Sequence, residues 1–260
     1  MSWTFLDHPT PFGFAHQGGT DVAPGNTEAA FRHAVALGYE HLETDVQATA
    51  DGVLVVFHDD DLGALTGTPG RIEDLTWSAL SELRVGGEHP IPRFEDLVEL
   101  FPGVRFNVEP KTDAAVDPLI SLIRRRGLED RVCVGSFSDR RLRRFRRRLG
   151  PPPVCTSPGP IGVLAVMVAA LVGRPRLGSR HGAVQIPPSF HRISLTSGWL
   201  VRRIHRLDLQ VHVWTINDEA EMERLLDNGV DAIMTDRVVT LKEVLTRRGG
   251  WPGGTGPGAV

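Results

Sequence analysis

The sequence predicts a (β/α)8 TIM barrel with a small insertion after its second strand. Three observations carry that expectation. Short β-branched runs alternate with longer helical patterns along nearly the whole chain, the signature of βαβ units around a parallel sheet. The chain has 260 residues, and one such barrel takes about 250. Polar residues with reactive chemistry follow the first, second, third and seventh strands. A closed barrel brings those distant strand ends over one mouth, which an open doubly wound sheet does not.

Phe12–His16 (FGFAH) reads as strand one. The next helix opens at Asn26-Thr27-Glu28, with Asn26 as N-cap, an acid in the first turn and Gly38 past the end. Strand two covers His41–Val46, and Asp51-Gly52 then makes a tight turn into an added strand or hairpin arm at Val53–His58. Residues 59–92 break the alternation with Gly, Pro and Thr and with a short capped helix in LTWSALSELRVGG, so they read as the insertion. The remaining strands are Val104–Glu109, Val132–Ser136, Val154–Thr156, Ala183–Ile186, Val211–Ile216 and Asp231–Thr235. Helices are expected at Arg93–Leu100, Ala114–Arg126 and Arg140–Leu149, and in DEAEMERLLDNG, whose acidic first turn and Gly229 stop suit the macrodipole and C-cap rules. One domain is expected over residues 1–248, followed by a fraying Gly/Pro-rich tail at 249–260.

Composition is that of an ordinary globular domain, with 41% hydrophobic and 23% charged residues. The formal net charge of −3 gives no basic bias toward nucleic acid, and no nucleic-acid partner is expected. The seven arginines between Arg140 and Arg148 read as a solvated outer helix. Cys133 and Cys155 form neither a disulfide framework nor a zinc spacing. They read as buried free thiols, with a bridge between neighbouring strands left open. The opening MSWTFLDHPTPFGFAH lacks a basic start followed by an apolar run, so no signal peptide is read there and the expected compartment is the cytoplasm. Ile161–Val172 is apolar throughout, but its 12 residues fall short of the roughly 20 that span a bilayer. It reads as a substrate lid, a peripheral membrane contact or a buried barrel helix.

Glu43 and Asp45 are two apart on a strand, so their side chains share a face. Two acids aimed into a barrel repel and lose hydration, and they need a cation or a proton. With Glu109 ending strand three, they make a hard-oxygen set suited to a divalent cation, Mg²⁺ or Ca²⁺. The alternative is a group of solvated loop acids with Lys111 nearby. Among ten histidines, His16 and His58 differ by ending apolar strands, and two imidazoles can act as acid and base. Lys111 can meet a phosphate oxygen, Gly18-Gly19 allow a backbone to approach a ligand, and Trp214 reads as a wall near the mouth or as core. No Walker loop, dinucleotide fingerprint or nucleophile elbow is present.

Five blocks in order resemble the glycerophosphodiester phosphodiesterase family. They are AHQGG (15–19), APGNTEAAFRHAVALGYEHLETDVQATADGVLVVFHDDDL (23–62), NVEPK (107–111), VHVWTIND (211–218) and GVDAIMTDR (229–237). The resemblance implies His16 and His58 as the catalytic acid–base pair. It implies Glu43, Asp45 and Glu109 as metal ligands, Lys111 as the phosphate contact and Trp214 as the aromatic wall of the substrate groove. It implies hydrolysis of glycerophosphodiesters to an alcohol and glycerol 3-phosphate, with lysophospholipids as the substrates of some members. One position departs: the family usually carries Arg after the first His, and this chain has Gln17. A guanidinium grips two phosphate oxygens and a neutral amide does not. Gln17 therefore leaves open a different substrate, or a barrel that binds phosphodiesters or membranes without turnover, and the apolar Ile161–Val172 tilts the substrate toward lipid-like diesters, with a lysophospholipase D as the alternative.

Overall fold

The computed structural model describes residues 3–173, 181–191 and 193–251. Its strands are β1 (Phe12–Ala15), β2 (His41–Ala48), β3 (Leu54–Val56), β4 (Arg84–Val85), β5 (His89–Pro90), β6 (Arg105–Pro110), β7 (Val132–Val134), β8 (Cys155–Thr156), β9 (Ala183–Ile186), β10 (Ser189–Phe190), β11 (Ile193–Ser194), β12 (Gln210–Val213) and β13 (Ala232–Thr235). Its helices are α1 (Glu28–Ala36), α2 (Gly63–Thr66), α3 (Trp77–Leu80), α4 (Phe94–Leu100), α5 (Val116–Arg126), α6 (Asp139–Leu149), α7 (Pro160–Val172), α8 (Gly198–His205), α9 (Glu219–Asp227) and α10 (Val238–Arg247). Eight parallel strands run in the order β8-β7-β6-β2-β1-β13-β12-β9, a nearly closed (β/α)8 TIM barrel.

β3 returns antiparallel on the far end of β2, with Val46 opposite Val56. The segment that follows packs a small cluster of its own, in which Phe57, Leu62, Ile72, Leu80, Val85 and Ile91 are buried. The helix expected in LTWSALSELRVGG is only the single turn α3, because Arg84-Val85 pair with His89-Pro90 instead. At α1 the cap is Thr27, whose hydroxyl accepts from Ala30 N, and not Asn26. Trp251 sits edge-on to Tyr39 at 4.8 Å, so ordered packing continues past Gly249. The rest of the expected tail, 252–260, lies outside the described residues.

The main core lies between the sheet and the outer helices. A second core fills the barrel and includes Phe12, Phe14, Cys133, Cys155 and Met234. Cys133 and Cys155 stand opposite one another on β7 and β8 as free, buried thiols. A 3-10 turn, Thr4–Leu6, closes the end where the strands begin. Its Phe5 carbonyl meets His41 Nε2 at 3.3 Å, and the carbonyls of Leu6 and Asp7 accept from Gln210 and Arg105. The opposite end remains the mouth.

His41 and His212 are buried among Phe12 and Phe14. Burial pulls His41 well below its usual value and His212 down to about 4. Folding therefore keeps both rings neutral at a pH where the unfolded chain protonates them. The stability this contributes is present above pH 6.5, the ordinary histidine value, and is lost as pH falls from there toward about 4. For His212 the loss amounts to about 3 kcal/mol. His212→Phe should remove that acid-limb loss, so its melting temperature should fall less than the parent's between neutral and acid pH. Parallel slopes in a thermal-melt series would exclude this account.

Candidate active site

The site is assembled on the mouth from the ends of β1, β2, β6, β7, β12 and β13. Glu43 and Asp45 point to one side of β2, and Asp45 stands beside Glu109 of β6 in parallel register. Glu43 and Asp45 are both buried. Such charges require partners, and the surrounding loops supply them. Asp45 Oδ2 accepts from Gln17 Nε2 at 3.0 Å and from Asn26 Nδ2 at 3.1 Å. Its Oδ1 lies 3.7 Å from Lys111 Nζ, which is also 3.5 Å from Glu109. Glu43 Oε2 accepts from the Gln17 backbone N–H at 3.2 Å and lies 3.7 Å from His16 Nε2.

These contacts explain the backbone of the first βα loop. Gln17 and Asn26 both have left-handed φ, 53° and 59°. Such conformations cost about 1–3 kcal/mol each in non-glycine residues and persist where surroundings over-determine them. Here the Asn26 N–H donates to Gln17 O at 2.7 Å, while both side chains reach the same Asp45 oxygen. Thr44 hydroxyl donates to Asn26 Oδ1 at 2.9 Å and fixes the amide's orientation. Gly18, at φ 83°, brings its backbone so close to α1 that a Cβ would stand 2.8 Å from Phe31 N.

His16 Nδ1 is 2.6 Å from Asp236 Oδ1, at the end of β13. Asp236 is held in turn by Asn217 Nδ2 at 2.8 Å, and its own N–H donates to Asn217 Oδ1. Burial works to lower the His16 pKa, but Glu43, then Asp236 and Asp45, outweigh it and raise it to about 9. Burial, then Asp45, push Glu43 well above the usual carboxylate range. The crowding of carboxylates contributes to both shifts, added for Glu43 to the larger effect of burial. Burial likewise raises Glu109.

His58 stands differently. It is half exposed, just beyond β3, and its Nδ1 lies 2.7 Å from Asp59. Among the described residues no hydrogen bond or ion pair joins it to Glu43, Asp45, Glu109 or Lys111. Trp214, at the end of β12, meets Phe137 edge-on at 5.5 Å, and the Phe137 N–H donates to Glu109 at 3.2 Å. The structure thus brings His16, Gln17, Glu43, Asp45, Glu109 and Lys111 into one contiguous network, with Trp214 connected through Phe137.

Sequence reasoning missed Asp236, Asn217, Asn26 and Phe137 as parts of the site. Asp236 and Asn217 do follow strands, as mouth residues must. Asn26 was hidden by its resemblance to a helix cap. Phe137 carries no polar signal at all.

Four carboxylates, Glu43, Asp45, Glu109 and Asp236, face two cationic side chains, Lys111 and the His16 imidazolium. The hard-oxygen donors and this charge deficit suit a divalent cation. Among the described residues no three His, Cys, Asp or Glu side chains converge tightly enough to hold an ion, and Lys111 is the cation that approaches Asp45 and Glu109.

The barrel with a carboxylate-rich mouth defines the class, and comparison defines the family. The sequence pattern of the "Glycerophosphoryl diester phosphodiesterase family" matches residues 16–240. "Probable glycerophosphodiester phosphodiesterase 2" of Mycobacterium tuberculosis is 38% identical over 259 residues, 96% of each chain. The glycerophosphodiester phosphodiesterase of Caldanaerobacter subterraneus is 32% identical, over 91% of this chain and 98% of its own. An Oleispira antarctica phosphodiesterase solved with sn-glycerol-3-phosphate shares the fold at TM-score 0.74 and 21% identity, over 91% of this chain and 97% of its own. The chain belongs to the glycerophosphoryl diester phosphodiesterase family and is an enzyme, a phosphodiesterase.

Removing the Glu43 charge should lower the His16 pKa, since the attraction of Glu43 is the largest single interaction that raises it. In Glu43→Gln the ring should titrate well below about 9, as followed by the His16 ring signals in a proton NMR pH series with chelator present. An unmoved titration would mean that Asp236 alone holds the proton.

Proposed function

We propose that this enzyme hydrolyses glycerophosphodiesters to an alcohol and glycerol 3-phosphate, with His16 and His58 moving the protons. The observation that carries the reading is His16, gripped between Asp236 and Glu43 beside the carboxylate–lysine network. The glycerol 3-phosphate bound by the Oleispira antarctica relative supports the product.

Glu43, Asp45 and Glu109 are the residues that would hold a divalent cation, Mg²⁺ or Ca²⁺. Bound there, it would polarise a phosphoryl oxygen and stabilise developing charge. The chain's own groups supply the rest. Lys111 offers its ammonium to a second phosphate oxygen, and Trp214 with Phe137 bounds the groove. His16, held protonated by its carboxylates, donates from Nε2 to the oxygen of the leaving alcohol. His58 has Nδ1 engaged by Asp59, which favours Nε2 as the free lone pair. It takes the proton from the attacking oxygen, either water or the glycerol hydroxyl next to the ester. In the second case the P–O bond to the alcohol breaks as a cyclic phosphate forms. Water then opens the ring, and the two histidines exchange roles.

Gln17 bears on the substrate. It spends its side-chain amide on Asp45 and brings no charge to the phosphate. Lys111 would then carry more of the phosphate recognition than it would beside an Arg at this position. A lysophospholipase D reading is favoured by one observation, the exposed apolar side chains Phe137, after β7, and Phe190, on the β10–β11 hairpin after β9.

His16→Ala and His58→Ala should each lower kcat about 100-fold or more with the melting temperature kept, as general acid–base groups do. Near-normal turnover in either variant would remove that residue from the mechanism. Chelator should abolish release of glycerol 3-phosphate from glycerophosphocholine, and Mg²⁺ or Ca²⁺ should restore it. Cleavage confined to lysophosphatidylcholine would move the assignment to the lipid substrate.

A further inference from the structure

The segment read as lid, membrane contact or buried helix is an outer barrel helix, α7, packed between α6 and α8. One face is buried through Val166, Met167, Ala169 and Ala170. The opposite face is also apolar. Ile161, Leu164, Val168, Leu171 and Val172 are 49% to 68% exposed. At 100° per residue they fall within an arc of about 100°, a continuous aliphatic ridge. The neighbouring outer helices put charge in this position, as arginines do on α6 and acids on α9. The barrel itself therefore gives no reason for this ridge, and a contiguous exposed apolar patch marks an interaction surface.

The chemistry beside the ridge indicates what covers it. On α6, Arg140, Arg141, Arg144 and Arg148 turn toward α5 and pair with Asp113 and Asp117. Arg143 and Arg147 lie on the exposed side, in no ion pair among the described residues. On the other flank, α8 and its C-cap Arg206 place Trp199, Arg202, Arg203 and Arg206 at helical spacing on one face. Arg203 lies over the Trp199 ring at 4.9 Å and donates to the carbonyls of Ala170 and Leu171, at 2.5 and 2.9 Å, joining α8 to the end of the ridge. From α6 through α8 the helices hold nine arginines and one acid, Asp139, in a chain whose net charge is −3. The Asp139 carboxylate is spent on the first N–H groups of α7.

We propose that the outer face of α7, with the arginines of α6 and α8 on either side, docks the enzyme on an anionic lipid bilayer. An aliphatic ridge bordered by arginines and an exposed tryptophan matches the apolar boundary and charged headgroups of such a surface. A second copy of the chain fits less well. Both flanks are basic, so any face-to-face pairing of two ridges sets arginine against arginine. The contact is peripheral, since no described helix is long and apolar enough to cross a membrane.

The ridge runs down the side of the barrel from its mouth end. α7 begins at Pro160, just past the end of β8, so Ile161 lies at the mouth side. Phe137, after β7, and Phe190 and Ile193, on the β10–β11 hairpin after β9, are all exposed at that same end. With the ridge docked, the rim of the mouth next to α7 would lie beside the headgroup layer, where phosphodiesters are found. This consequence rests on the proposed activity; the docking surface does not.

The test is co-sedimentation of the full chain with phosphatidylcholine vesicles and with phosphatidylcholine–phosphatidylglycerol vesicles. Hydrolysis of soluble glycerophosphocholine and circular dichroism report separately on activity and fold. The chain should pellet with the anionic vesicles, and Leu164→Asp/Val168→Asp should stay in the supernatant with its fold unchanged. Arg143→Gln/Arg147→Gln should bind the anionic vesicles roughly 25-fold more weakly, from two surface arginines each contributing several-fold. Parent protein that remains in the supernatant with both vesicles overturns the proposal. So does binding that neither double variant alters. A dimer in analytical ultracentrifugation that Leu164→Asp dissociates would assign the ridge to a second copy instead.

Discussion

Two carboxylates buried on one strand, Glu43 and Asp45, organise the mouth of this barrel. Their alternation along β2 aims both at the same interior, where neither is hydrated. Such charges persist only with hydrogen bonds or opposite charge around them. The first βα loop bends into two left-handed residues to deliver the amides of Gln17 and Asn26 to Asp45. Lys111 reaches back from the next strand for the same reason. The strain in the loop and the charge on β2 are thus two sides of one balance.

That balance has a functional consequence at His16. An imidazole at a buried position would ordinarily lose its proton more readily. Here Glu43 and Asp236 reverse the direction and keep it charged. Asn217 and the backbone of β13 hold Asp236 in place, so the eighth strand determines the protonation of a residue on the first. Gln17 takes part in the same network. It satisfies Asp45 without adding charge, and the mouth is left more negative than a guanidinium at that position would leave it.

The outside of the barrel shows a second segregation of charge. α6 divides its arginines between acids on the α5 side and the open side next to α7. α7 carries no polar side chain at all, so its exposed ridge stands between basic flanks. In the interior and on the α5 side of α6, charge is placed where another group answers it. The aliphatic ridge, with Arg143 and Arg147 beside it, is the part of the surface that calls for a partner.

The sequence alone determined the barrel, because strand and helix periodicities are local and survive without knowledge of partners. It also determined that Glu43 and Asp45 share a face, since a strand alternates with period two whatever it pairs with. Boundaries shifted where local patterns competed: Asn26 has the composition of a cap, but Thr27 makes the bond and Asn26 serves Asp45. The short helix near Trp77 gave way to the β4–β5 pair because strand pairing there offered its residues another partner. Only the tertiary structure could join His16 to Asp236, 220 residues away, or set Phe137 against Trp214. Closure of the barrel creates those contacts, and no local spacing encodes them. Only the tertiary structure, too, turned Ile161–Val172 into a helix with one apolar face buried and the other exposed, since exposure depends on what packs beside a helix and not on its composition.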